Sequence, residues 1–98
     1  MTQAPQIILY TSPFCSHSWA VERFMAQNDV PVKIIRIDQD MEAREHVLKI
    51  NNGYASVPTL VFPDGTTLTE PSFGELRHKL GIENPGLIKR IKSVIGKR

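Results

Sequence analysis

Apolar and polar positions along this chain follow two alternating periods, and the switches between them fall at turn-forming residues. "QIILY", residues 6–10, is a short branched apolar run closed by "TSP", the pattern of a buried strand. From residue 16 to 28 the spacing predicts a helix with Trp19, Ala20, Phe24 and Met25 inward, stopped by Asn28, Asp29 and Pro31. "VKIIRID", residues 32–38, predicts a second strand. "QDMEAREHVLKINNG" follows as a helix with Ala43, Val47 and Ile50 on one face, ending at Asn52 and Gly53. "PTLVF", residues 58–62, predicts a third strand. "PDG" is a hairpin turn, because Pro presets φ and Asp-Gly tolerates positive φ, and "TTLTE" returns as a fourth strand. Pro71 and Ser72 open a helix through Leu80, halted at Gly81. A last amphipathic helix is expected from Pro85, with Leu87, Ile88, Ile91, Val94 and Ile95 on its stripe.

The order is therefore β-α-β-α-β-β-α with one extra C-terminal helix. Two strands joined through a helix should run parallel, and two joined by a tight turn antiparallel. The expected fold is α/β, a four-stranded mixed sheet with helices on its faces. With 98 residues, no repeat and no linker, one domain over residues 1–98 is expected.

Composition changes this picture little: 41% hydrophobic and 22% charged residues are ordinary for a globular chain. The single cysteine cannot form an internal disulfide, which suits a reducing compartment, as does the polar opening "MTQAPQ", and a cytoplasmic location is expected. No stretch approaches the roughly 20 apolar residues of a membrane span. Net charge is +2, but after Asn84 there are five basic residues and no acidic one. Cations near a helix C-terminus account for that bias, so neither nucleic acid nor a membrane is expected as a partner.

The candidate chemistry sits in "YTSPFCSHSW". Cys15 follows the first strand and opens the first helix, where unpaired N–H groups and the dipole favour an anion. Thiols so placed commonly ionise readily, and the thiolate is the nucleophile. His17 could add positive charge in the same turn, and Ser16 and Ser18 carry hydroxyls that could bond the sulfur. Pro13 before it and polar residues after it argue for exposure. A second signal is "SVPTLVF", where a proline opens a strand expected at the centre of the sheet. The residues alone leave the Val57–Pro58 bond open between cis and trans.

Together, a Cys-x-x-Ser site after strand one, a "VPT" proline before strand three, a "DG" hairpin and a helix just afterwards resemble the glutaredoxin family of the thioredoxin fold. "GYASVPTLVFPDGTTLTEPS" resembles its bacterial mycoredoxin and glutaredoxin-like branch, and the likeness covers roughly residues 7–80. The resemblance implies a thioredoxin-like fold, Cys15 as nucleophile and Pro58 as the family's cis-proline beside the sulfur. It implies that the Val57 backbone pairs with a bound thiol peptide, as an added strand would. Phe14 falls with the substrate-binding residues. Ser72 falls at the helix start where the family receives a γ-glutamyl carboxylate, and a plain N-cap explains a serine there equally well. His17 fills a position often aromatic in the family, and a solvent-facing residue is its simpler reading.

Three departures stand out. Ser18 replaces the resolving cysteine, Thr11 and Ser12 stand where many members carry a lysine, and Thr69, Glu70 and Pro71 replace a Gly-Gly pair. The implied activity is thus monothiol: reduction of mixed disulfides between proteins and a low-molecular-weight thiol, glutathione or mycothiol, with that thiol as co-substrate. No bound cofactor or metal is expected, and a monomer is the expected state. The alternatives are a carrier holding an iron–sulfur cluster through one cysteine per subunit, or a relative that binds a partner without turnover. Members of the first kind usually read Cys-Gly-Phe-Ser, against Cys-Ser-His-Ser here.

Overall fold

Branched side chains place β1 (Ile7–Thr11) and β2 (Val32–Arg36) side by side in parallel, Ile7 opposite Val32 and Thr11 opposite Arg36. A parallel pair needs a crossover, which α1 (Ser16–Gln27) supplies. The computed structural model describes residues 6–82. After β2 come α2 (Met41–Ile50), β3 (Thr59–Val61), β4 (Thr67–Thr69) and α3 (Phe73–Leu80). The sheet order is β2-β1-β3-β4, with β3 antiparallel to both neighbours. This is the mixed four-stranded α/β sheet expected. The helix expected from Pro85, and its basic residues, lie outside the described residues.

Alternation along the inner strands splits the core between two faces. Leu9 and Leu60 face Val21, Phe24 and Met25 of α1 and Leu76 of α3, with Phe62 closing that layer. Tyr10 meets Ile37 and, from α2, Ala43 and Val47 on the other face. Leu9, Leu60 and Leu76 are fully buried, each contributing about 2 kcal/mol in apolar transfer.

Turn chemistry ends the elements where expected. The hairpin closes with Gly65 N–H donating to Phe62 C=O and Phe62 N–H to Thr66 C=O, both at 2.9 Å. Gly65 has φ 87°, the left-handed residue that a three-residue hairpin loop requires. α3 likewise ends on Gly81 at φ 68°.

Three expectations are corrected. The buried stripe of α1 is Ser18, Val21, Phe24 and Met25, so Ser18 and Val21 stand where Trp19 and Ala20 were expected. Trp19 is 54% exposed, and its apolar ring lies against the Arg36 guanidinium, 5.9 Å from the ring centroid. Ile50, the last residue of α2, is only half-buried. Pro58 precedes β3 rather than opening it, so its missing N–H costs no ladder bond.

Candidate active site

Two loops at the ends of the inner strands form the site. The first runs from the end of β1 to α1. Cys15 is the N-cap of α1, with extended backbone (φ −117°, ψ 116°), and its N–H donates to Ser12 C=O at 3.2 Å. Its side chain does not cap the helix, and no acidic residue stands in the first turn. The sulfur turns instead to the second loop, where its S–H donates to Val57 C=O at 3.6 Å. The thiol is half-buried.

Neighbouring residues divide sharply in their placement. Phe14 is 88% exposed, and its N–H donates to Ser12 Oγ at 3.2 Å. Ser16 is exposed. Ser18 is fully buried, and its Oγ accepts from Ser12 N–H at 3.4 Å, so its hydroxyl serves the loop backbone rather than the sulfur. His17 is not solvent-facing: it is half-buried, and its Nε2 lies 2.8 Å from the Pro71 carbonyl. A carbonyl only accepts, so Nε2 carries the proton.

The second loop joins α2 to β3. The Val57–Pro58 peptide is cis, and Pro58 is buried beside half-buried Val57. Thr59 braces this loop from a fully buried position: its hydroxyl donates to Ser56 C=O at 2.7 Å and accepts from Asn51 Nδ2 at 3.1 Å. Thr69 Oγ1 donates to Asn51 Oδ1 at 2.6 Å, completing the brace from β4. A threonine opening an otherwise apolar central strand was the available signal, since a buried hydroxyl needs partners.

The first loop has its own brace. Arg36 Nη1 and Nη2 donate to the two Glu22 carboxylate oxygens at 3.3 and 3.2 Å, and Nη1 also reaches Thr11 Oγ1 at 3.3 Å. Trp19 Nε1–H donates to Pro13 C=O at 2.9 Å. None of these partners adjoins another in sequence.

Ser72 lies at the third corner, as the N-cap of α3. Its Oγ accepts from Glu75 N–H at 3.1 Å while Glu75 Oε1 accepts from Ser72 N–H at 2.9 Å, a complete capping box. The capping role is thus the one its geometry supports. Glu70 precedes this corner in the left-handed region (φ 48°), with its N–H donating to Pro58 C=O at 2.7 Å. The structure thus brings Cys15, His17, Val57 and Pro58 together, sets Phe14 at the rim and directs Ser18 inward.

Two groups away from this corner are held off their ordinary range. Burial, and then the Asp40 carboxylate, push the Tyr10 phenol up from 10.0. Lys79, then the Thr66 hydroxyl and N–H, hold the Asp64 carboxyl well below 3.8. Among the described residues no helix is long and apolar enough to cross a membrane.

A half-buried thiol at an uncapped helix start, facing a backbone carbonyl of a neighbouring loop, is arranged for disulfide exchange. A family model described as Glutaredoxin matches residues 7–66. A glutaredoxin-named protein of Mycobacterium tuberculosis is 32% identical over 76% of this chain and 88% of its own. Mycoredoxin 1 of Corynebacterium glutamicum is 30% identical over 76% of this chain and 91% of its own. Among solved structures, a thioredoxin-like protein in a single-substitution form superposes with TM-score 0.71 at 29% identity, covering 80% of this chain and 97% of that one.

Proposed function

This chain belongs to the glutaredoxin family of thiol-disulfide oxidoreductases, and from that premise we propose that it works through Cys15 alone, by a monothiol cycle. The observation that carries this reading is the geometry of the one thiol: sulfur at an uncapped helix start, with a serine hydroxyl committed elsewhere at the resolving position.

In the first step the Cys15 thiolate attacks the small-thiol sulfur of a protein mixed disulfide. The new Cys15–S–S–R bond forms as the protein sulfur leaves and takes a proton. In the second step a free small thiol, as thiolate, attacks the R sulfur, releasing the symmetrical disulfide and regenerating Cys15. One protein thiol is produced and one free small thiol is consumed, leaving as the symmetrical disulfide with the small thiol taken from the protein. The Val57 N–H donates to no group among the described residues, so it is free to pair with the incoming chain. Glu70 and the Glu75 carboxylate bring negative charge to the α3 start. A carboxylate-bearing thiol is disfavoured there, so mycothiol, which carries none, is the expected co-substrate over glutathione. The single reduced thiol suits the cytoplasm.

Intact mass after brief exposure to oxidised mycothiol or oxidised glutathione tests this reading. One rapid adduct, released by the matching free thiol and faster with mycothiol, is expected. Slow or absent adduct formation with both would overturn it.

A further inference from the structure

The site is closed into a ring by contacts between residues far apart in sequence. Cys15 Sγ meets Val57 C=O at 3.6 Å; Pro58, the next residue, accepts from Glu70 N–H at 2.7 Å; and Pro71, the residue after Glu70, accepts from His17 Nε2 at 2.8 Å. His17 lies two residues past Cys15, so the ring returns to its start. Two of the three closures are backbone groups and the thiol itself. The third is a side chain, and it is His17.

We propose that His17 is a positioning residue for disulfide exchange, holding the Val57–Pro58 edge at a fixed offset from the Cys15 sulfur through Pro71. This rests on the monothiol reading above. Its logic is geometric. Pro71 is buried and cannot donate, so its carbonyl is the only backbone hydrogen-bonding group it offers, and the His17 ring takes it. Nε2 donates whether the ring is neutral or protonated, so the clasp holds in both states and that nitrogen is not available as a base. The 2.8 Å bond spans 54 residues of sequence and joins the start of α1 to the β4–α3 corner. Opening the ring there leaves the sulfur in place but frees the edge that an incoming chain would pair with.

Three variants at His17 test this. His17→Phe keeps a ring and removes the donor, His17→Asn keeps a polar group too short to reach Pro71, and His17→Gln places an amide N–H near the Nε2 position. KM for a peptide mixed disulfide is expected to rise about fivefold in the Phe and Asn variants, with kcat held and KM restored by Gln; that is the factor expected for one hydrogen bond. Alkylation of Cys15 by iodoacetamide, which needs no paired edge, should keep the wild-type rate in all three. A KM that does not move in the folded Asn variant overturns the inference, as does an alkylation rate that falls in step with exchange. A wild-type protein without exchange activity overturns the monothiol reading and this inference with it; turnover at one common KM in all variants overturns this inference alone.

Discussion

The helix starts of α1 and α3 differ in how their free N–H groups are used. At α3 the Ser72 hydroxyl and Glu75 carboxylate satisfy each other's backbone N–H groups, and α2 is capped in the same spirit by Asp40, whose Oδ1 accepts from Ala43 N–H at 3.0 Å. At α1 the N-cap side chain is a thiol that turns away to Val57, and no acid stands in the first turn. The helices that do not carry the sulfur use their own side chains to complete their N-termini. The helix that carries the sulfur leaves its end open, where the dipole and unpaired N–H groups favour an anion. On the monothiol reading, local stability is given up where reactivity is needed.

Replacing Cys15 breaks the contrast most severely. Cys15→Ser removes the proposed nucleophile and installs a preferred capping residue on backbone already in the extended N-cap conformation. Exchange activity should fall to the uncatalysed rate while the denaturation midpoint rises, by up to about 1 kcal/mol in stability. Turnover and urea unfolding of the same preparation check both halves; retained exchange would refute Cys15 as nucleophile. At the other helix the effects should reverse. Ser72→Ala removes the cap and should lower stability by about 1 kcal/mol. The iodoacetamide rate at Cys15 should not change, because the box lies at a different helix start. A Ser72→Ala variant of unchanged stability would mean that the box does not hold α3.

How much of this was legible in the sequence depends on how far apart the cooperating residues lie. Cys15, Val57 and Pro58 stand at strand ends, where period changes and turn residues announce them. The Ser72 box was half visible, since a serine before a helix reads as a cap, but its reciprocal bonds with Glu75 appear only in the folded chain. The inward face of α1 was misread at Trp19 because its apolar bulk suggests burial. Its neighbours Arg36 and Pro13, which occupy its ring face and its N–H, come from other segments. Ser18 was misread for the opposite reason: a hydroxyl suggests exposure or a bond to sulfur, yet here it is inside because Ser12 N–H needs an acceptor. The bond from His17 to Pro71 carried no signal, since the partner is a backbone carbonyl 54 residues away.

The smallest expected effect lies at the far end of α3 and extends the contrast between the helices. Asp64, in the β3–β4 turn, accepts from Lys79 Nζ at 2.8 Å, so α3 is held by a carboxylate at each end, one of its own and one from the hairpin. Lys79, then Thr66, keep the Asp64 carboxyl well below its ordinary 3.8. A group with a depressed folded pKa stabilises the fold above its unfolded value and loses that contribution as pH falls through the folded one. Wild-type stability should therefore exceed that of Asp64→Asn at neutral pH, and the gap should close as pH falls below 3.8. Because the pair is exposed, added salt should narrow the gap at neutral pH as well. Urea midpoints at neutral and acid pH, with and without salt, check this. A gap that persists at low pH would assign the difference to the Thr66 contacts of the turn, which an asparagine can in part retain, rather than to the charge on Asp64.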